Sequence, residues 1–188
     1  MVGTSVLASP QQPPPPSSSL GQTMTQLAPA AGIPTGPAFT VVLVGHVAAV
    51  LVALLAVVAG AVSAARVLTA KGELPPSVRS YFSPGVNWTG RVLYLVPVLG
   101  VALLAMSGGA YRLDATWVDW GIGLWAAATA LAEGVLWPAE RRVQRGLASP
   151  AETGVPHAVR RACRTMCVAS AGVVALVVVA MAVMVAKP

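Results

Sequence analysis

Two ionisable side chains, His46 and Glu133, stand well inside the long apolar runs of this sequence, and two thiols, Cys163 and Cys167, stand four residues apart. A histidine and a carboxylate in apolar surroundings are the residue types of a proton relay, since each can carry or release a proton there. Histidine can also ligate haem, and a cysteine pair is half of a tetrahedral zinc site. The spacing defeats both metal readings. Bis-histidine haem needs a second histidine at similar depth, and His157 falls in a charged loop. A zinc site needs four ligands, which the Cys163–Cys167 pair does not find nearby in sequence. The chain has no phosphate-binding glycine loop, no HExxH, no nucleophile elbow and no paired carboxylates. The expectation is a protein with no catalytic residue, no metal and no cofactor of its own beyond bound lipids.

The elements that carry these residues follow from composition. Of 188 residues, 56% are hydrophobic and only 10% charged, where a soluble domain carries about 25% charged residues. Lipid must therefore solvate part of the chain. Four apolar stretches, 38–65, 92–111, 117–138 and 165–186, each reach the roughly 20 residues a membrane helix needs. The third is interrupted by Asp119 and Glu133, but Trp117 and Trp120 at one end and Trp137 at the other mark two headgroup boundaries. Pro138 and the Arg141–Arg142 pair are expected to end that helix. The fold class expected is all-α: an integral membrane four-helix bundle over residues 38–188, preceded by an extended tail over 1–37.

Basic residues set the orientation. The first loop holds Arg66, Lys71, Arg79 and Arg91; the third holds Arg141, Arg142, Arg145, Arg160, Arg161 and Arg164; Arg112 and Lys187 are all that remain. Short loops rich in Lys and Arg face the cytoplasm, so both termini are expected outside, in a multi-pass protein of the cell membrane. The charge flanks apolar runs and so speaks for anionic headgroups, such as those of cardiolipin, and against nucleic acid. In this layout His46 and Glu133 lie near opposite boundaries, about 15 Å apart, too far for a direct pair. Each has a plain role: a histidine bonded to a neighbouring helix, and a glutamate paired with Arg141 or Arg91.

Eight of the sixteen prolines fall within the first 37 residues, among them Pro13, Pro14, Pro15 and Pro16 in one run. Such a run is a stiff, low-entropy polyproline II rod that suits an aromatic-lined groove on a partner. The loop from Lys71 to Arg91 mixes Tyr81, Phe82 and Trp88 with prolines and reads as a segment pressed on the inner leaflet or on a neighbour. Small residues every four positions predict close helix packing: Cys163, Cys167, Ala171 and Ala175; Ala126, Ala130 and Gly134; Ala56, Gly60 and Ala64.

The proline-rich front, the alanine-, valine- and arginine-rich style and the stretch "YFSPGVNWTGRVLYLVPVLGVALLAMSGGAYR" from Tyr81 to Arg112 together resemble small actinobacterial membrane proteins. More specifically, the chain looks like the proline-rich accessory factor of the mycobacterial cytochrome bcc–aa3 respiratory supercomplex. That resemblance implies a non-catalytic accessory subunit whose partners are the larger cytochrome bcc and aa3 oxidase subunits, met through helix packing and tail docking. It supplies no catalytic residues. Two other readings stay open: a small transporter or redox protein using His46 and Glu133, and a transient assembly factor.

Overall fold

In a bilayer core no water meets the backbone, so each N–H and C=O must be satisfied within a helix. The computed structural model describes residues 36–149 and 154–186, and over them it is all-helical, with no strand. Helix α1 spans Pro37–Thr69, α2 Pro76–Tyr81, α3 Trp88–Met106, α4 Thr116–Ala148 and α5 His157–Ala186. All but the short α2 are long and apolar enough to cross a membrane. The chain is thus a multi-pass membrane protein. Pro13, Pro14, Pro15 and Pro16, with the rest of the tail up to residue 35, lie outside the described residues.

Several helix ends differ from the expected span limits, and two of them have a clear local reason. The second span stops at Met106, not at residue 111, because Gly108 and Gly109 take positive φ of 59° and 89°. Ser107 closes the turn: its Oγ donates to the Leu104 carbonyl at 2.7 Å and accepts the Tyr111 N–H at 3.2 Å. The third span was expected to end at Pro138, yet α4 runs ten residues further, to Ala148. Proline lacks the N–H that would bond the carbonyl four residues back. The helix absorbs the defect with one π-helical turn over Ala132–Leu136, immediately before Trp137 and Pro138. Pro97 leaves the Leu93 carbonyl free in the same way, and Trp125 Nε1 of α4 fills it at 3.1 Å.

α1 and α5 form the central antiparallel pair, with α3 against α1 and α4 against α5. Specific contacts set the register. Arg160 Nη1 donates to the Leu68 carbonyl at 3.2 Å, and Cys167 Sγ lies 3.7 Å from the Ala61 carbonyl. Between α4 and α5, Gly146 meets Val159, Leu131 meets Gly172 and Gly121 meets Met184. α3 has 19 residues where α1 and α4 have 33. At about 1.5 Å per residue, α1 and α4 overreach it by roughly 20 Å. The surplus lies at the arginine-rich end, where the core is densest: Val67, Val78, Phe82, Trp137, Val143, Val159 and Met166 are buried together.

The three small-residue stripes point in different directions. Ala56, Gly60 and Ala64 are buried on α1. On α5, Cys163 is buried and Cys167 half-buried, but Ala171 and Ala175 are exposed. A four-residue step overshoots a full turn by about 40°, so a stripe of four wraps off the contact face. The face that remains follows mixed spacings: Cys163, Met166, Ser170, Val173. On α4, Ala126, Ala130 and Gly134 all face outward, while Gly121, Ala128 and Ala132 face α5. Small residues occur on both faces of that helix, so spacing alone could not choose between them.

A Cβ at Gly60 would stand 2.7 Å from the Tyr81 hydroxyl, whereas one at Gly123 would meet nothing within 4 Å. Gly60→Ala is therefore expected to destabilise by about 1–3 kcal/mol. Gly123→Ala is expected to be neutral or stabilising by up to ~1 kcal/mol. Thermal melting of the two variants in one detergent checks the contrast.

Candidate functional site

The polar residues gather where α3 falls short. α2 and the segment after it fold into the open side of the bundle, and this turns Phe82 inward to 2% exposure. Tyr81 packs edge-on against Phe82, ring centroids 5.0 Å apart, and reaches Gly60 of α1. Both were expected to face a leaflet or neighbour; they plug the gap left by the short helix. Trp88 does face outward, at 74% exposure.

Behind Tyr81 lies the most deeply buried carboxyl among the described residues, Glu140 at 6% exposure. Asn87 joins the two: its Nδ2 donates to Tyr81 Oη at 3.1 Å and to Glu140 Oε1 at 3.3 Å. Gln144, one turn on from Glu140, donates to the Gly85 carbonyl at 3.4 Å and so pins the loop to α4. Burial, with the nearby Glu140 carboxyl, pushes the Tyr81 phenol above its ordinary range. A space of about 10 Å³ beside Gly60, Tyr81, Asn87 and Glu140 is the size of one water. It adjoins an open cavity of about 470 Å³ lined by Ala56 and Ala59, by Tyr81 and residues 83–87, and by Thr89 and Gln144.

Of this cluster only Tyr81 stands out in the sequence, and there as a residue facing the leaflet or a neighbour. Ending the third helix at Pro138 hid Glu140 and Gln144, and the usable signal was their four-residue spacing beside the apolar Leu136 and Val143.

Glu133 sits in the π-helical turn and meets α3, not Arg141. Tyr94 Oη donates to its carboxylate, and Arg91 Nη1 lies 3.9 Å from Oε1. The Arg91 guanidinium also stacks over the Trp137 ring at 4.6 Å, and Tyr94 packs beside that ring. A carboxylate on a membrane-spanning helix is thus matched by a cation and shielded by aromatic faces. His46 lies elsewhere, half-buried against Gly100 and the Val96 backbone. Gly100 is six residues beyond Tyr94, about 9 Å along α3, so His46 and Glu133 occupy different layers. The cysteines are free thiols, and among the described residues no three His, Cys, Asp or Glu side chains gather to hold a metal ion.

Chemically, this end can hold a water or a small hydrogen-bonding group against a buried carboxyl. Set against known protein families, curated proteins and solved structures, the chain matches none.

Glu140→Gln keeps an acceptor for Asn87, so it is expected to melt close to the unmodified chain. Glu140→Leu leaves Tyr81 and Asn87 short of a partner, at a cost of about 1–3 kcal/mol. The Tyr81 shift also has a sign: a phenol raised on folding adds stability at pH values below about 10. That stability is lost as pH climbs through the raised value. Alkaline titration of tyrosinate absorbance is the measure: just above pH ~10 the folded chain and Tyr81→Phe should absorb alike.

Proposed function

We propose that this chain is a non-catalytic accessory subunit that stabilises a larger membrane assembly by lending it a rigid apolar surface. The observation that carries the reading is the outward direction of small-residue stripes: Ala126, Ala130 and Gly134 on α4, Ala171 and Ala175 on α5. In lipid, helices associate by close packing between small residues, not by a hydrophobic drive. Stripes of this kind that the fold leaves unused are suited to helices of another subunit. The tying-off of Glu133 by Arg91 and Tyr94 supports a body built for packing, since it leaves that carboxylate engaged inside the chain.

The partners that fit best are those implied by the resemblance, the large subunits of a cytochrome bcc–aa3 respiratory supercomplex in a cell membrane. With the arginine-rich end in the cytoplasm, both termini lie outside. The proline-rich tail then runs along the partners' outer surface, with Pro13–Pro16 as its docking rod.

Purification through a tag on this chain in mild detergent, with identification of what accompanies it, tests the reading. Oxidase subunits should co-purify. Recovery should fall several-fold, roughly the effect of losing 1–2 kcal/mol of packing, when Ala130 and Ala171 are both changed to leucine. Removal of residues 1–35 should weaken recovery too, with membrane insertion intact. Recovery of the chain alone, or with unrelated proteins, would overturn the proposal.

A further inference from the structure

Arginines on three different helices stand at one height. On α1 an outward ladder of Leu51, Leu55, Val58 and Val62 ends in Arg66, every residue exposed. On α5, Val168 is 75% exposed, and Arg164 and Arg161 follow it on the same face. On α4, Val135 is exposed, Arg142 lies two turns above it, and Arg141 and Arg145 flank that position, also exposed. The contacts of Leu68 with Arg160, Ala61 with Cys167 and Gly146 with Val159 fix how these helices are staggered. With that stagger and about 1.5 Å of rise per residue, all six arginines fall within roughly 6 Å along the bundle axis. They form a collar.

Among the described residues no collar arginine forms an ion pair, although Arg141 stands near Glu140 and Arg145 Nε donates to the Arg141 carbonyl at 3.2 Å. The ion pairs there are Arg91–Glu133 and Arg112–Asp114. Glu140, the nearest acid on α4, is turned inward to Asn87. The collar also continues helix faces, at Leu51–Val62, at Val168 and at Val135, whose membrane-side positions are apolar and exposed. Its immediate surroundings are therefore the layer that bounds the hydrocarbon, which is the phosphate layer of one leaflet.

We propose that the collar is a binding surface for anionic phospholipid headgroups. Arginine's planar fork grips a phosphate through two parallel N–H bonds and is less strongly hydrated than lysine. A folded acidic domain would reach one side of the bundle, whereas these arginines point outward from three helices, which an annulus of lipid can serve. The collar also sets the depth of the chain. The hydrocarbon edge lies just below Arg66 and Arg164, and the Gly100–His46 contact puts Trp88, at the start of the shorter α3, roughly 12 Å below that edge. This inference rests on the membrane-spanning helices and is independent of any partner subunit.

The test uses the full chain in mixed micelles with equal amounts of phosphatidylglycerol and phosphatidylcholine, and native mass spectrometry to count retained lipids. Phosphatidylglycerol should be retained in preference. Each Arg→Gln change at 66, 142, 161 or 164 should lower that preference about two- to fivefold. Arg112→Gln, at the other end, should leave it unchanged, as should added inorganic phosphate. Arg→Lys at the collar keeps the charge and should restore part of it, which separates lost binding from misfolding. Equal retention of both lipids by the unmodified chain overturns the proposal, as does a preference untouched by the glutamine variants or displaced by free phosphate.

Discussion

The architecture turns on a mismatch of length. Three helices of 30 to 33 residues are joined to one of 19, and the deficit falls entirely at the arginine-rich end. A bundle open on one side over several turns would expose Val67, Ala64 and Met166 where the apolar slab gives way to water. The chain closes the opening with its own connection: α2 lays Val78 and Phe82 into the gap, and Tyr81 reaches down to Gly60. That closure brings Asn87 to Glu140 and loop residue Gly85 to Gln144. The buried polar cluster and the adjoining cavity are consequences of a short helix and its plug.

Proline imposes the second constraint. Pro97 and Pro138 each delete an N–H within a helix that must satisfy its own backbone. The two defects are handled differently. At Pro97 a side chain from another helix, Trp125, supplies the missing donor and so links α3 to α4. At Pro138 the helix widens for one turn, and Glu133 in that turn is met by Arg91 and Tyr94 of α3. The α3–α4 side of the bundle, where the backbones approach least, is held by these long side chains and by the Trp137 ring they share.

Some of this was legible in advance. Four spans, their approximate limits and the clustering of basic residues follow from runs of apolar residues broken by Arg and Lys. The separation of His46 from Glu133 followed from counting residues against bilayer thickness. The continuation of α4 past Pro138 was not legible, because a proline reads as a stop unless the local ladder can loosen. Nor was the fate of the small-residue stripes, since Ala126, Ala130 and Gly134 have the same spacing as Ala56, Gly60 and Ala64 and yet face the other way.

What the sequence determined by itself is one-dimensional. Hydropathy decided which segments enter lipid, because transfer of apolar surface is additive along the chain and needs no partner. Proline and glycine marked where the backbone would be disturbed. The tertiary structure decided everything that depends on which face meets which neighbour: that Phe82 and Tyr81 turn inward, that Glu140 finds Asn87, and that arginines from three helices share one height. These depend on helix stagger and rotation, which arise from side chains fitting between helices and leave no period in a single strand of residues.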